Sequence, residues 1–119
     1  MRSSALSVSL AVVAAAATAS AQNSTEPVGC ASGLYILVAR GSTEDPGPGV
    51  FGEVAQDIAD KIPGAVVGAL DYPATFQDYD DSVTDGTKSL RRALDDYHTN
   101  CPDGKIALMG YSQVSAYVL

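Results

Sequence analysis

An α/β fold, a parallel sheet sandwiched between helices in three layers (α/β/α), is predicted by two features of this chain. Apolar, β-rich runs at residues 34–39, 65–70 and 106–109 alternate with two stretches of helical periodicity, 51–62 and 82–100. The runs lack polar alternation, as strands covered on both faces require. The order strand, helix, strand, helix, strand favours parallel pairing with right-handed crossovers, which places helices on both faces of the sheet.

The N-terminal 21 of the 119 residues read as a signal peptide. Arg2 supplies a positive start, residues 6–17 a soft apolar stretch, and Ala19-Ser20-Ala21 a small-x-small cleavage site, with Ala21 the first choice of cut and Ala19 the second. The stretch is too short to span a bilayer and no stop-transfer charges follow it. The expected product is secreted and extracellular, with a flexible tail over 22–29 and one small domain over 30–119. Removing 21 residues from 119 leaves 98, and the loss of Arg2 takes the net charge from -7 to about -8. Such a surface repels phosphate backbones, so nucleic acid is excluded as an expected partner. Asn23-Ser24-Thr25 is an N-glycosylation acceptor sequence on the tail.

In order along the domain, Leu-Tyr-Ile-Leu-Val-Ala at 34–39 is the first strand, and residues 40–49 are a loop by their glycines, prolines and polar residues. The first helix places Phe51, Val54, Ala55, Ile58, Ala59 and Ile62 on one face and stops at Pro63-Gly64. The second strand leads into a turn at Asp71-Tyr72-Pro73-Ala74. The long helix repeats Val83, Thr87, Leu90, Leu94 and Tyr97 at spacings of four and three, with Ser82 as the expected cap and Asp85 in the first turn. Gly86 offers close packing. Pro102-Asp103-Gly104 turns the chain into the third strand. Cys30 and Cys101 can pair in an oxidising compartment, or stay buried thiols; with one histidine, His98, they are too sparse for a zinc site.

Gly110-Tyr111-Ser112 follows the third strand directly. A Gly-x-Ser at a strand-to-helix turn is the first half of a nucleophile elbow, whose sharp backbone lifts the serine hydroxyl clear of the sheet edge. Ser112 is therefore the candidate nucleophile. Sites in open parallel sheets lie beyond the C-terminal strand ends, where the Ser42-Thr43 loop also sits. The N–H groups of Gln113 and Ser42, with the Ser42 hydroxyl, are candidate donors to a tetrahedral acyl intermediate. On pattern alone, Ser42 and Thr43 read equally as turn residues. Arg40, at the end of a buried strand, needs a partner, with Glu44 and Asp71 available. His98 falls in the last turn of the long helix, which leads to the N-terminal edge of the third strand, so it is rejected as the base for Ser112. A dinucleotide-binding domain shares the sheet type but needs a Gly-x-Gly-x-x-Gly that is absent after the first strand.

These residues carry a likeness. Arg40-Gly41-Ser42-Thr43-Glu44, Tyr72-Pro73-Ala74, Tyr79 with Ser82-Val83 and Gly86, Cys101-Pro102, Lys105-Ile106 and Gly110-Tyr111-Ser112-Gln113 occur in the order found in the cutinase and acetylxylan esterase family. The chain resembles that family from Cys30 to Gln113. The resemblance implies a cutinase-like α/β-hydrolase fold, incomplete at about three of five strands. It implies Ser112 as nucleophile, Ser42 and Gln113 as oxyanion hole, a Cys30–Cys101 disulfide, and no cofactor or metal. The implied activity is that of a secreted serine carboxylic-ester hydrolase, acting as a monomer on cutin or short-chain acyl esters. The Arg-Gly-Ser-Thr-Glu form leans toward cutinases over acetylxylan esterases; acetylated xylan is the alternative substrate. A non-catalytic secreted protein derived from an esterase is the rival from another class.

The chain departs from the pattern after Gln113. The family has a glycine where Val114 stands, and its triad aspartate and histidine have no counterpart here. The expectation is a chain that stops just past the nucleophile, folds poorly by itself and turns over little ester. Val114-Ser115 can be encoded by GTG-AGT, the form of a splice donor, which would make residues 114–119 translated intron.

Overall fold

Every side chain of strand β1 (Leu34–Ala39) after Leu34 is apolar and buried, and the sheet is built around this strand. The computed structural model describes residues 29–117. Its element order is β1, helix α1 (Gly52–Lys61), β2 (Val66–Ala69), helix α2 (Tyr79–Asn100) and β3 (Lys105–Gly110), with short 3-10 segments at Gly49–Phe51 and Ser112–Tyr117. The sheet order is β2-β1-β3 and both pairings are parallel. Tyr35 pairs with Val66 on one side and Ile106 on the other, and Ala39 pairs with Gly110 at the C-terminal end of β3. The expected leader and the Asn23 acceptor lie outside the described residues. Among the described residues no helix is long and apolar enough to cross a membrane.

The period of two in β1 divides the core between the two faces. Ile36 and Val38 meet Ala55 and Ala59 of α1, while Tyr35, Leu37 and Ala39 join Ala93 and Tyr97 of α2. The three-layer arrangement is as the alternation predicts. The helix faces overlap the expected ones but are narrower or shifted at particular residues. On α1 the alanines at i and i+4 carry the contact, and Val54 and Ile58 stand 45% and 36% exposed beside them. On α2 the buried row is Ser82, Gly86, Ala93 and Tyr97, with Leu90 packed against it. Val83, Thr87 and Leu94 fall on its shoulder. Ser82 is not the cap: the helix starts earlier, with Asp78 at the N-cap.

Strand β3 is apolar along most of its length yet only partly covered, with Leu108 46% exposed. Among the described residues it pairs only with β1, so its second edge carries unpaired backbone groups.

The N-terminal edge of the sheet is pinned by the Cys30–Cys101 disulfide, which spans 71 residues with Cα atoms 5.6 Å apart. Beside it, the Tyr97 hydroxyl accepts the Ala31 N–H at 3.3 Å, and the Tyr97 ring packs on Tyr35 with centroids 4.7 Å apart. A loop of this length is worth roughly 4 kcal/mol in the chain-entropy account. The double variant Cys30→Ala/Cys101→Ala of the whole gene product should therefore unfold in urea with a free energy lower by about 2–5 kcal/mol. An unchanged midpoint would show that the packing of Tyr35 and Tyr97 holds this edge without the bridge.

Candidate functional site

Three loops leave the C-terminal edge of the sheet, one after each strand, and each contains a non-glycine residue with positive φ. These are Thr43 (69°) after β1, Ala74 (50°) and Asp78 (52°) after β2, and Ser112 (61°) after β3. Left-handed backbone at a side-chain-bearing residue costs of order 1–3 kcal/mol and persists where its surroundings fix it. For β-branched Thr43 the conformation is a genuine outlier.

The β1 loop is fixed by Arg40 and Glu44. Arg40 is buried at 5% exposure, and its guanidinium donates to backbone carbonyls: Glu44 O at 3.0 Å, Tyr72 O at 2.5 Å and Pro73 O at 3.4 Å. It also lies 5.3 Å from the centroid of the Tyr72 ring, whose hydroxyl donates back to Arg40 O. Of the two carboxylates in reach by sequence, Asp71 is exposed, and Glu44 meets Arg40 through its main chain. The Glu44 carboxylate instead accepts the N–H groups of Gly41 at 2.6 Å and Val50 at 2.8 Å, closing its own loop. Thr43 N–H donates to Ala74 O at 2.7 Å. The first two loops are thus tied together by main-chain bonds and one buried cation.

The β3 loop is the candidate elbow. Ser112 is exposed and left-handed, directly after Gly110-Tyr111. The chain then continues as a 3-10 segment. Its tight point is Gly110, where a Cβ would come 2.6 Å from Val114 Cγ1. Val114, which occupies the position expected to want glycine, is 8% exposed and packs into the core on the α2 side. The close approach is met by Gly110 having no side chain. Tyr111 covers Gly41, whose hypothetical Cβ would lie 2.9 Å from the ring, and meets Phe51 edge-on at 5.2 Å.

Gln113 joins all three loops. It is fully buried, and Nε2 donates to Thr75 O at 2.9 Å and to Ser42 Oγ at 3.3 Å. Its Oε1 accepts from Ser82 Oγ at 2.6 Å, and Ser82 Oγ in turn accepts the Thr75 N–H at 3.1 Å. Ser42, Ser112 and Gln113, singled out from the sequence, are brought to one edge of the sheet. Thr75, which the sequence reading does not single out, joins them, as do Tyr72, Ser82 and Tyr111, which it names only as motif residues or, for Ser82, as a helix cap. The available signal for Ser82 was its place four residues before Gly86 on the inner row of α2, where a hydroxyl needs a partner.

His98 is exposed in the last turn of α2, beside the Cys101 end of the disulfide. From there the chain enters β3 at Lys105 and reaches Ser112 only after running the strand's length, so His98 and Ser112 occupy opposite edges, separated by about 20 Å of strand rise. Asp78, Asp80 and Asp81 begin α2 at the same edge as Ser112, all exposed.

Comparison with known proteins agrees with this arrangement. A family model described as Cutinase matches residues 30–118. Acetylxylan esterase 2 of Talaromyces purpureogenus is 31% identical over 67% of this chain and 37% of its own length. Cutinase 11 of Verticillium dahliae is 30% identical over 91% of this chain and 39% of its own. The chain therefore spans about two fifths of these relatives. A solved acetylxylan esterase superposes with a TM-score of 0.65 at 32% identity, covering 71% of this chain and 44% of that one. A cutinase-like protein from Cryptococcus sp. shares the fold, with a TM-score of 0.64 at 21% identity. With the Cys30–Cys101 bridge at the edge of a parallel three-stranded sheet, and the family match running almost from one end of the described fold to the other, this chain belongs to the cutinase family.

Proposed function

We propose that these residues form the nucleophile-bearing part of a secreted serine carboxylic-ester hydrolase, with residues 1–21 as the leader and 30–119 as part of one catalytic domain. The observation that carries the reading is Ser112, held exposed at φ 61° with Gln113 and Ser42 bonded to each other beside it. In this mechanism Ser112 Oγ attacks the acyl carbon, and its proton passes to a base. The carbonyl oxygen becomes an oxyanion that accepts from the N–H groups of Gln113 and Ser42 and from the Ser42 hydroxyl. Such preorganised donors contribute most where charge develops in the transition state. The base then protonates the leaving alcohol, and water releases the acyl group by the reverse sequence. The Cys30–Cys101 bridge supports an extracellular setting.

Cutin or short-chain acyl esters are the proposed substrates, on the Arg40-Gly41-Ser42-Thr43-Glu44 loop; acetylated xylan is the second reading, supported by the relatives that bear the name acetylxylan esterase. The enzyme acts as a monomer without cofactor or metal. In p-nitrophenyl butyrate hydrolysis by the whole gene product, Ser112→Ala should lower kcat by about 10⁴-fold or more. Equal rates would remove Ser112 from the chemistry and favour a non-catalytic protein. Release of acetate from xylan faster than hydroxy-acids from cutin would select the second substrate.

Among the described residues the sequence's one histidine lies at the opposite edge of the sheet from Ser112, so the base is proposed to come from outside them. A serine hydroxyl without a base is a poor nucleophile at neutral pH. The 119-residue polypeptide alone, after leader removal, should label with a fluorophosphonate at least about 10³-fold more slowly than the whole gene product. Stoichiometric labelling of Ser112 at a comparable rate would contradict this.

A further inference from the structure

We propose that Ser82 is a positioning residue that keeps the Ser42 hydroxyl proton available to the oxyanion, acting through the side chain of Gln113; this rests on the ester-hydrolase reading above. Ser82 is 2% exposed on the row of α2 that faces the sheet. A hydroxyl there is costly unless both its functions are used. Both are: Oγ accepts the Thr75 N–H at 3.1 Å, and the one proton goes to Gln113 Oε1 at 2.6 Å.

That donation fixes which way the carboxamide points. With Oε1 turned to Ser82, the NH2 group faces Thr75 O at 2.9 Å and Ser42 Oγ at 3.3 Å. A flipped amide would set its oxygen against the Thr75 carbonyl and would accept the Ser42 proton. A hydroxyl has one proton and two lone pairs. In the observed orientation an N–H of Gln113 occupies a lone pair of Ser42 Oγ, which leaves the proton free to turn toward a developing oxyanion. In the flipped orientation that proton is spent on Gln113. Ser82 adds to the Thr75 carbonyl in selecting between them, and the chain Thr75 N–H, Ser82 O–H, Gln113 amide, Ser42 O–H runs in one direction, each bond polarising the next. No atom of Ser82 needs to touch substrate.

The test is a double-mutant cycle in the whole gene product, read as kcat and KM for p-nitrophenyl butyrate, with thermal melts of each variant. Ser82→Ala should lower kcat by about 10-fold and leave KM within about 2-fold, since the interaction is made only in the transition state. In a Ser42→Ala background the same substitution should change kcat by less than about 2-fold, because the proton it protects is gone. Equal losses in both backgrounds would mean a merely structural role and overturn the proposal, as would an unchanged kcat or a loss confined to KM. If Ser82→Ala does not fold, Ser82→Cys, which keeps a weak donor, should give a smaller loss that again vanishes with Ser42→Ala. A wild-type protein that hydrolyses no ester would overturn the ester-hydrolase reading itself, and this inference with it.

Discussion

The arrangement of the site depends on one buried carboxamide. Gln113 sits where the loops after all three strands converge, and its polar atoms are bonded to Ser42, Thr75 and Ser82. Each such group, buried without a partner, would cost about 1–3 kcal/mol. Its bonds cross-link the three loops, and the position of Ser42 relative to Ser112 becomes a property of the fold. Gln113 follows the candidate nucleophile directly in sequence, so the same residue that ends the elbow also locks its neighbours.

Strain and clamps are concentrated at this edge. Left-handed backbone at Thr43, Ala74 and Ser112 is unfavourable locally. It is held by main-chain and buried side-chain bonds: Thr43 to Ala74, Arg40 to Tyr72 and Pro73, Glu44 to Gly41. Arg40 shows why a buried cation need not have a carboxylate beside it. Three carbonyl oxygens and an aromatic face take its N–H groups and its charge, while the carboxylate four residues on is occupied with backbone amides. The opposite edge is built differently, from a covalent bridge and packed tyrosine rings, and His98 lies toward it.

What was legible in the sequence follows from how local each cause is. The strand at residues 34–39 was readable because burial on both faces writes itself as an unbroken apolar run, and its bounds are those observed. Ser112 stands out in the sequence because a glycine two residues before it follows an apolar strand directly, and the structure places it, exposed, at the end of that strand. The helix faces are only partly legible: Ala55, Ala59, Gly86, Leu90 and Tyr97 pack as the sequence predicts, whereas Val54 and Ile58 stand exposed and the row of α2 runs through Ser82 and Ala93. Ser82 looked like a cap because serine before an apolar repeat usually is one. Its side chain is bonded instead to Gln113, thirty-one residues away, and no local pattern carries that pairing.

The central claim, that Gln113 and Ser42 together form the receptor for an oxyanion generated at Ser112, is tested most directly by a crystal structure of the whole gene product inactivated with a phosphonate ester. The account predicts phosphorus bonded to Ser112 Oγ, with the phosphoryl oxygen about 2.7–3.1 Å from Gln113 N, Ser42 N and Ser42 Oγ. It also predicts that the Gln113 side chain stays bonded to Ser82 and Ser42. A phosphoryl oxygen turned to solvent, or phosphorus attached to another residue, would contradict it.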